Sequence, residues 1–153
     1  MAVTTIPTAG LTLGAQVNFR NLIINGDMSI AQRGTSQASI STGYNTCDRW
    51  RTSQQIGAFT QSQSTDVPTG QGFATSLKMD CTTANSSPGS TSQLSVHQRL
   101  EGQMLQQLKK GTSNAESTTM SFWVKSNKTG TYTVEISDDD NSRQISKTYT
   151  INS

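Results

Sequence analysis

Charged side chains are scarce in this sequence, and so are apolar ones. Only 14% of the 153 residues are charged and 31% are hydrophobic, while the net charge is +2. Disordered chains typically combine low hydrophobicity with high net charge, so this balance favours a folded β-protein whose surface is rich in Ser, Thr, Asn and Gln. The 12 basic residues form no stripe or run. The sequence therefore predicts that the chain does not bind nucleic acid.

Cysteine and histidine are also rare, and long apolar runs are missing. Cys47, Cys81 and the single His97 support neither a disulfide framework nor a zinc site, so we expect both cysteines to be small buried hydrophobes and His97 to be solvated. No segment approaches the roughly 18 apolar residues of a membrane span. Because no Lys or Arg precedes Arg20 and no sustained apolar stretch follows the start, no secretory signal is predicted. We expect synthesis in a cytoplasm and no association with a membrane.

The acidic residues show no spacing that suits catalysis or metal binding. Four of the ten acidic residues are crowded between Glu135 and Asp140, and no partner stands elsewhere to form the carboxylate pair of a glycan hydrolase. The run from Asp138 to Asn141 offers oxygen ligands, yet it lacks the glycine and the bidentate glutamate of an EF-hand loop. A solvated turn is favoured there. We predict a non-enzymatic protein without catalytic residues, metal or cofactor.

The first 20 residues have no helical or alternating period. Thr, Pro and Gly are scattered among a few apolar side chains, so this segment is not expected to fold alone. One interpretation is a frayed terminus. The other is an arm that orders on a partner and docks through apolar residues, which are Val3, Ile6, Leu11, Leu13 and Val17.

Residues 21–34 mark the predicted entry into a folded domain. An apolar run at Leu22, Ile23 and Ile24 precedes Asn25-Gly26, a dipeptide typical of tight turns. We interpret 21–28 as an opening strand followed by a turn, so that residues 1–20 form an arm and residues 21–153 form one domain.

Alternating apolar residues predict further strands. Residues 58–61, 76–81 and 93–100 show this pattern, with Leu94 and Val96 expected to face inward. Leucine and methionine spaced four apart predict one short helix over 100–111. Residues 120–124 and 132–136 are interpreted as a hairpin, and a second turn at 138–142 leads to a last strand over 145–151.

Three aromatic residues are candidates for a contact surface. Trp50 is expected at the core or its edge, and Tyr44 precedes it in a polar segment. In the predicted strand, Trp123 falls on the face opposite Phe122, where a large apolar side chain should not face water. A sugar-stacking platform, a contact with another protomer or virion protein, and cover by a loop of the same domain all remain open for it.

Several short segments together resemble a known family. NLIINGDM at 21–28 resembles the first strand of jelly-roll carbohydrate-binding modules, and SFWVKS at 121–126 with GTYTV at 130–134 resembles their central hairpin. Combined with AQRGT at 31–35, DRW at 48–50 and QRLEG at 98–102, the set resembles bacteriophage tail-fibre and related virion proteins over residues 21–153. Ser29 stands where those modules often carry a calcium-binding glutamate, and such domains usually continue past the position of Ile151.

The resemblance implies an all-β, jelly-roll β-sandwich, here incomplete, with one short helix and an extended N-terminal arm. It implies a homotrimeric structural protein of the virion, most naturally the N-terminal, particle-anchoring part of a tail fibre or adhesin. Its partners would be a tail adaptor, a nozzle or a portal-proximal protein. The alternatives are a carbohydrate-binding module that recognises a host surface glycan through Trp123, Trp50 or Tyr44, and a capsid decoration or head-fibre protein.

Overall fold

The computed structural model describes residues 21–152, so the predicted docking residues Val3, Ile6, Leu11, Leu13 and Val17 lie outside the described part. The chain divides into two compact units, one ending at Ser117 and the other beginning at Thr118. The strands are β1 (Ser36–Gln37), β2 (Gly43–Tyr44), β3 (Arg51–Gln54), β4 (Ala58–Ser64), β5 (Ser76–Thr83), β6 (Leu94–His97), β7 (Gly130–Asp138) and β8 (Arg143–Ile151), and a 3₁₀-helix spans Gly102–Leu108.

Two antiparallel three-stranded sheets build the first unit. One sheet has the order β1-β4-β5 and the other the order β2-β3-β6. The pairing of β4 with β5 runs from Ala58 opposite Thr83 to Ser64 opposite Ser76, and it is interrupted by a bulge at Ala58 and Phe59. Gly57 precedes this bulge with a φ of +63°, and a Cβ there would lie 2.6 Å from the carbonyl oxygen of Thr83. Glycine is therefore required where β4 begins.

The core of the first unit contains few apolar side chains. Among the described residues the buried hydrophobic ones are Ile40, Cys47 and Leu108, and the buried polar ones are Asn45, Thr46, Thr52 and Gln61. The low apolar content of the sequence thus corresponds to a core with few apolar side chains. Hydrogen bonds between buried side chains replace part of the usual apolar packing.

The 3₁₀-helix occupies the position of the predicted helix but is tighter and shorter. Glu101 provides no side-chain cap at its start, and Lys109 ends it in the left-handed region with a φ of 49°. Leu108 is buried, and its carbonyl accepts a hydrogen bond from the backbone N–H of Glu116 at 2.9 Å. Without an N-terminal cap and with Gly102 in the first turn, packing of Leu108 holds this element rather than intrinsic propensity.

The second unit is a hairpin of β7 and β8. The two strands pair from Gly130 opposite Ile151 to Asp138 opposite Arg143. The predicted pairing of 120–124 with 132–136 is therefore wrong, and residues 120–124 form no strand. The tight connection at 139–142, in which Asn141 donates to the Asp138 carboxylate at 2.7 Å, brings β8 beside β7 and makes it the nearer partner.

The predicted opening strand at 21–28 is also wrong. Asn25 and Met28 have φ values of 53° and 58°, and the backbone N–H of Met28 donates to the carbonyl of Asn25 at 3.2 Å. The segment is a turn instead of a strand, because two residues in the left-handed region cannot belong to an extended backbone.

Other strand predictions are confirmed with changed burial. The predicted strands at 58–61 and 76–81 correspond to β4 and β5. Cys47 is buried as expected, but Cys81 is exposed. Leu94 is 38% exposed and so does not face inward, while His97 is half-buried instead of solvated. The expected all-β class is confirmed by the antiparallel sheets.

Candidate functional site

The motif segments of the first unit meet in one hydrogen-bonded cluster, which we call the entry hub. The hub consists of Ile24, Asn25, Asp48, Trp50 and Gln98. The Asn25 amide nitrogen donates to the carbonyls of Ile30 and Asp48, each at 2.9 Å, and its oxygen accepts from the Ile30 N–H at 2.9 Å. One side chain therefore holds the turn through three hydrogen bonds to the backbone of Ile30 and Asp48.

Gln98 closes the other side of the entry hub. Its amide accepts from the Ile24 N–H at 2.8 Å and donates to the Ile24 carbonyl at 2.7 Å. A residue in a β-strand forms the same two bonds, one at its N–H and one at its carbonyl, with a neighbouring strand. Gln98 thus takes the place of a strand partner for the apolar run.

Trp50 is half-buried and belongs to the entry hub. Its indole Nε1 donates to the carbonyl of Asn25 at 2.9 Å. A buried or partly buried indole N–H normally has such a partner. The half-buried position agrees with the expected packing at the edge of the core.

A cavity of about 280 Å³ lies beside the hub, and we call it the Tyr44 pocket. Its lining residues are Gln32, Arg33, Tyr44, Asp48 and Arg49. Arg33 bonds Asp48 at 3.0 Å through Nη1, and its guanidinium carbon lies 5.5 Å from the centre of the Tyr44 ring. Tyr44 is 44% exposed. The pocket therefore combines an accessible aromatic ring with charged donors and an acceptor.

Arg49 enters this pocket from a strained backbone position. Its φ is 71°, a conformation that is uncommon for residues other than glycine, asparagine and aspartate. Its guanidinium Nη2 donates to the Arg99 carbonyl at 3.4 Å and to Glu101 at 3.2 Å. Such strain persists only when neighbouring contacts hold the residue, and these contacts connect Arg49 to the QRLEG segment.

Trp123 lies in the second unit and is 63% exposed. Nearby in sequence, Phe122 packs edge-on against Tyr149 with ring centres 5.3 Å apart, and Tyr149 stacks with Tyr132 at 5.7 Å. Trp123 takes no part in this aromatic cluster. No residue in 118–152 is buried, so the second unit presents much of its apolar surface to solvent.

The thiol of Cys47 is a titratable group of the first unit whose pKa is changed by burial. Burial raises the pKa of the Cys47 thiol, with a smaller lowering by Thr46 and a small raising by Asp48, so the buried thiol is kept protonated. Within residues 21–152, no group of three or more His, Cys, Asp or Glu side chains is placed to hold a metal ion. In the same range, no helix has the length and apolar character needed to cross a bilayer.

Comparison of the chain with protein-family models, curated proteins and solved structures found no match. Two of the three aromatic candidates, Tyr44 and Trp50, lie in the first unit. Tyr44 lines the pocket together with Asp48, and Trp50 and the Asp48 carbonyl both bond to Asn25. Arg33, Asp48 and Arg49 were not among the predicted site residues. The signal that marks them is their occurrence in the short polar motifs at 31–35 and 48–50.

Proposed function

We propose that the chain is a non-enzymatic structural protein of a bacteriophage virion, and that it forms the N-terminal, particle-anchoring part of a tail fibre. Support comes from the entry hub, whose residues all belong to motif segments of the resemblance. Asn25 bonds to the Asp48 carbonyl and accepts from Trp50, and Gln98 bonds to the backbone of Ile24. Motif residues used in this way stabilise a scaffold instead of facing a substrate. A jelly-roll arrangement of the sheets is part of this proposal.

In this proposal, residues 1–20 dock on the particle and the entry hub anchors the folded domain directly after them. The partner is a tail adaptor, a nozzle or a portal-proximal protein. The arm binds through the apolar residues predicted above, since scattered apolar side chains of an extended segment can be buried one by one against a partner.

Incorporation into particles tests this docking. In the full chain, Ile6→Asp with Leu11→Asp should abolish incorporation, because a carboxylate cannot be buried against an apolar partner. Thr5→Asp with Thr12→Asp adds the same charge in the same segment and should be tolerated. Copies per purified particle would be counted by quantitative mass spectrometry. Normal incorporation of the Ile6 and Leu11 variant would overturn the proposal.

The location of the chain distinguishes tail from head. Gold labelling of a tagged full chain should mark the tail of intact particles. Labelling of the head would overturn the tail-fibre assignment and favour a capsid decoration or head-fibre protein.

Trimer formation is the second part of the proposal. Met120, Trp123 and Val124 are 48%, 63% and 50% exposed, and large apolar side chains that are exposed together are typical of interaction surfaces. We expect native mass spectrometry to give a homotrimer and Trp123→Asp to shift it toward monomer. Lys125→Asp is the neighbouring control. A monomeric wild-type chain would contradict this part.

Recognition of a host surface glycan is a second candidate function, and the Tyr44 pocket favours it. Exposed aromatic rings beside planar polar side chains can pack against a sugar ring and bond its hydroxyl groups. Binding of the full chain to an array of host polysaccharides, reduced in Tyr44→Ala, would support this function. An array without any signal would count against it.

A further inference from the structure

We propose that the Tyr44 pocket binds a sugar residue that carries a carboxylate, of the hexuronic acid class, with the sugar ring against Tyr44 and the carboxylate on the arginine guanidinium groups. This inference rests on the glycan-recognition candidate and names its ligand class.

The size of the pocket limits the ligand to about one ring. Its volume of about 280 Å³ lies just below the range for small-molecule sites, which begins near 300 Å³. The Tyr44 ring, over which the Arg33 guanidinium carbon lies at 5.5 Å from the centre, is still 44% exposed and supplies a flat surface. Gln32 adds an amide that can bond hydroxyl groups. A single sugar ring at the end or side of a chain fits these dimensions better than an extended oligosaccharide.

The charges of the lining residues favour an anionic sugar over a neutral one. Arg33 and Arg49 contribute two positive charges and Asp48 one negative charge. Asp48 is already bonded to Arg33 at 3.0 Å, and its side chain is only 17% exposed. Arg33 is more exposed, at 52%, and the pair of Arg49 with Glu101 is exposed on both sides, at 38% and 63%, so neither carboxylate closes its arginine off from a ligand carboxylate.

Both guanidinium groups retain free donors toward such a carboxylate. A guanidinium has five N–H donors, and within the described residues Arg33 uses only Nη1 and Arg49 only Nη2 as hydrogen-bond donors. The remaining Nε and Nη2 groups of Arg33 lie on one edge and match a carboxylate in a bidentate manner, while Arg49 can add a single bond from Nε or Nη1.

The backbone of Arg49 provides an independent indication. Its φ of 71° is held by the turn in which the Trp50 N–H donates to the Cys47 carbonyl at 3.4 Å. Strained non-glycine residues occur at ligand-binding positions more often than elsewhere. Here the strain places an arginine at the wall of a cavity.

The test is a titration of the full chain with D-glucuronic acid, followed by ¹H–¹⁵N NMR of backbone and arginine side-chain signals. Saturable shifts at Tyr44 and Arg49 are expected, and binding of D-glucose should be weaker by about tenfold or more because the charge-assisted bonds are missing. Acetate, which has the carboxylate without the ring, should also bind more weakly by about tenfold.

Matched variants locate the contacts. Tyr44→Ala and Arg49→Gln should each weaken binding of glucuronic acid by about tenfold. Tyr44→Phe, which keeps the ring, should bind more tightly than Tyr44→Ala, and Arg143→Gln, which removes an arginine of the second unit, should bind as wild type does. Unchanged backbone spectra will show that each variant is folded. Arg49→Lys keeps the charge with fewer N–H donors and should bind with intermediate affinity.

Each contrary result has one meaning. Equal affinity for glucuronic acid and glucose would overturn the role of the carboxylate, and equal affinity for acetate would overturn the role of the ring. Failure of glucuronic acid with Tyr44-dependent binding of a neutral polysaccharide on the array would overturn this ligand class alone. Failure of glucuronic acid together with an array that shows no signal would overturn glycan recognition as well.

Discussion

The side-chain amide of Gln61 in β4 donates to the hydroxyl of Thr52 in β3 at 2.8 Å, and this buried bond joins the two sheets of the first unit. The amide oxygen of Gln61 accepts from the N–H and the hydroxyl of Thr46 at 3.2 and 2.9 Å. Gln61 is only 1% exposed. A polar side chain thus occupies a position between sheets that an apolar residue holds in most β-proteins.

Gln61→Ala should lower the free energy of unfolding of the first unit by about 2–4 kcal/mol, because it creates a cavity and leaves buried partners unsatisfied. Gln55→Ala, at an exposed position before β4, should change it by less than about 0.5 kcal/mol. Urea unfolding followed by Trp50 fluorescence, in a Trp123→Phe background, measures this unit. Equal stability of the two variants would contradict the bridging role of Gln61.

Asn25 allows the conformational and hydrogen-bonding contributions to be separated. Asn25→Gly removes the side-chain bonds but tolerates the φ of 53°, and it should cost about 1–2 kcal/mol. Asn25→Ala removes the same bonds and adds strain in the left-handed region, so it should cost about 1 kcal/mol more. Urea unfolding followed by Trp50 fluorescence measures the stability of both variants. An alanine variant as stable as the glycine variant would show that the turn relaxes to another conformation.

The strands that were predictable from sequence have an alternating pattern and a partner close along the chain. In β5, Leu77 and Met79 alternate with Lys78 and Asp80, and β4 is the preceding strand in the sequence. Such a pair can therefore be predicted from the residues of its two strands alone. Strands of two residues, such as β1 and β2, contain too few positions to show a period and were missed.

The lack of a strand at 21–28 was not predictable, because the residue that bonds this segment is distant in sequence. The apolar run before Asn25 has the composition of a strand, but the backbone groups of Ile24 are bonded to Gln98, 74 residues away. A glutamine in a polar segment carries no signal that it will bond the backbone of another segment. The Asn-Gly turn itself was recognised.

The candidate site was predictable only in part. Tyr44 is predictable as a contact residue because it is an aromatic residue in a polar segment. The bond between Arg33 and Asp48 joins residues 15 positions apart, and their meeting depends on the irregular chain between them. The motif segments indicated which residues matter, while the fold was needed to show that Arg33, Tyr44 and Arg49 line one cavity.

Stability of the first unit should decrease at alkaline pH because of Cys47. Burial raises the pKa of its thiol above the ordinary value of 9.0, so the unfolded chain loses the proton before the folded chain does. The contribution of the thiol is fully present below pH 9.0 and is lost as the pH rises from there through the folded pKa. Urea unfolding at several pH values should show a smaller alkaline loss in Cys47→Ala than in Cys81→Ala. Identical pH profiles would contradict this assignment.

The ring of Tyr149 should stabilise the hairpin of the second unit. It lies opposite Tyr132 in the pairing of β7 with β8, stacks on that ring at 5.7 Å and contacts Phe122 at 5.3 Å. An isolated two-stranded hairpin is marginal in water, and each aromatic pair contributes about 0.5–1.5 kcal/mol. Tyr149→Ala should therefore accelerate amide hydrogen exchange in β7 and β8 by about tenfold.

Tyr149→Phe keeps the ring and should leave the exchange rates of the hairpin near those of the wild type. Amides of β4 serve as an internal reference, because β4 belongs to the other compact unit. Faster exchange in β4 of Tyr149→Ala would mean that the two units unfold together, whereas unchanged exchange in β7 and β8 would show that main-chain bonds alone hold the hairpin. Only a change confined to β7 and β8 agrees with a hairpin stabilised by its own aromatic cluster.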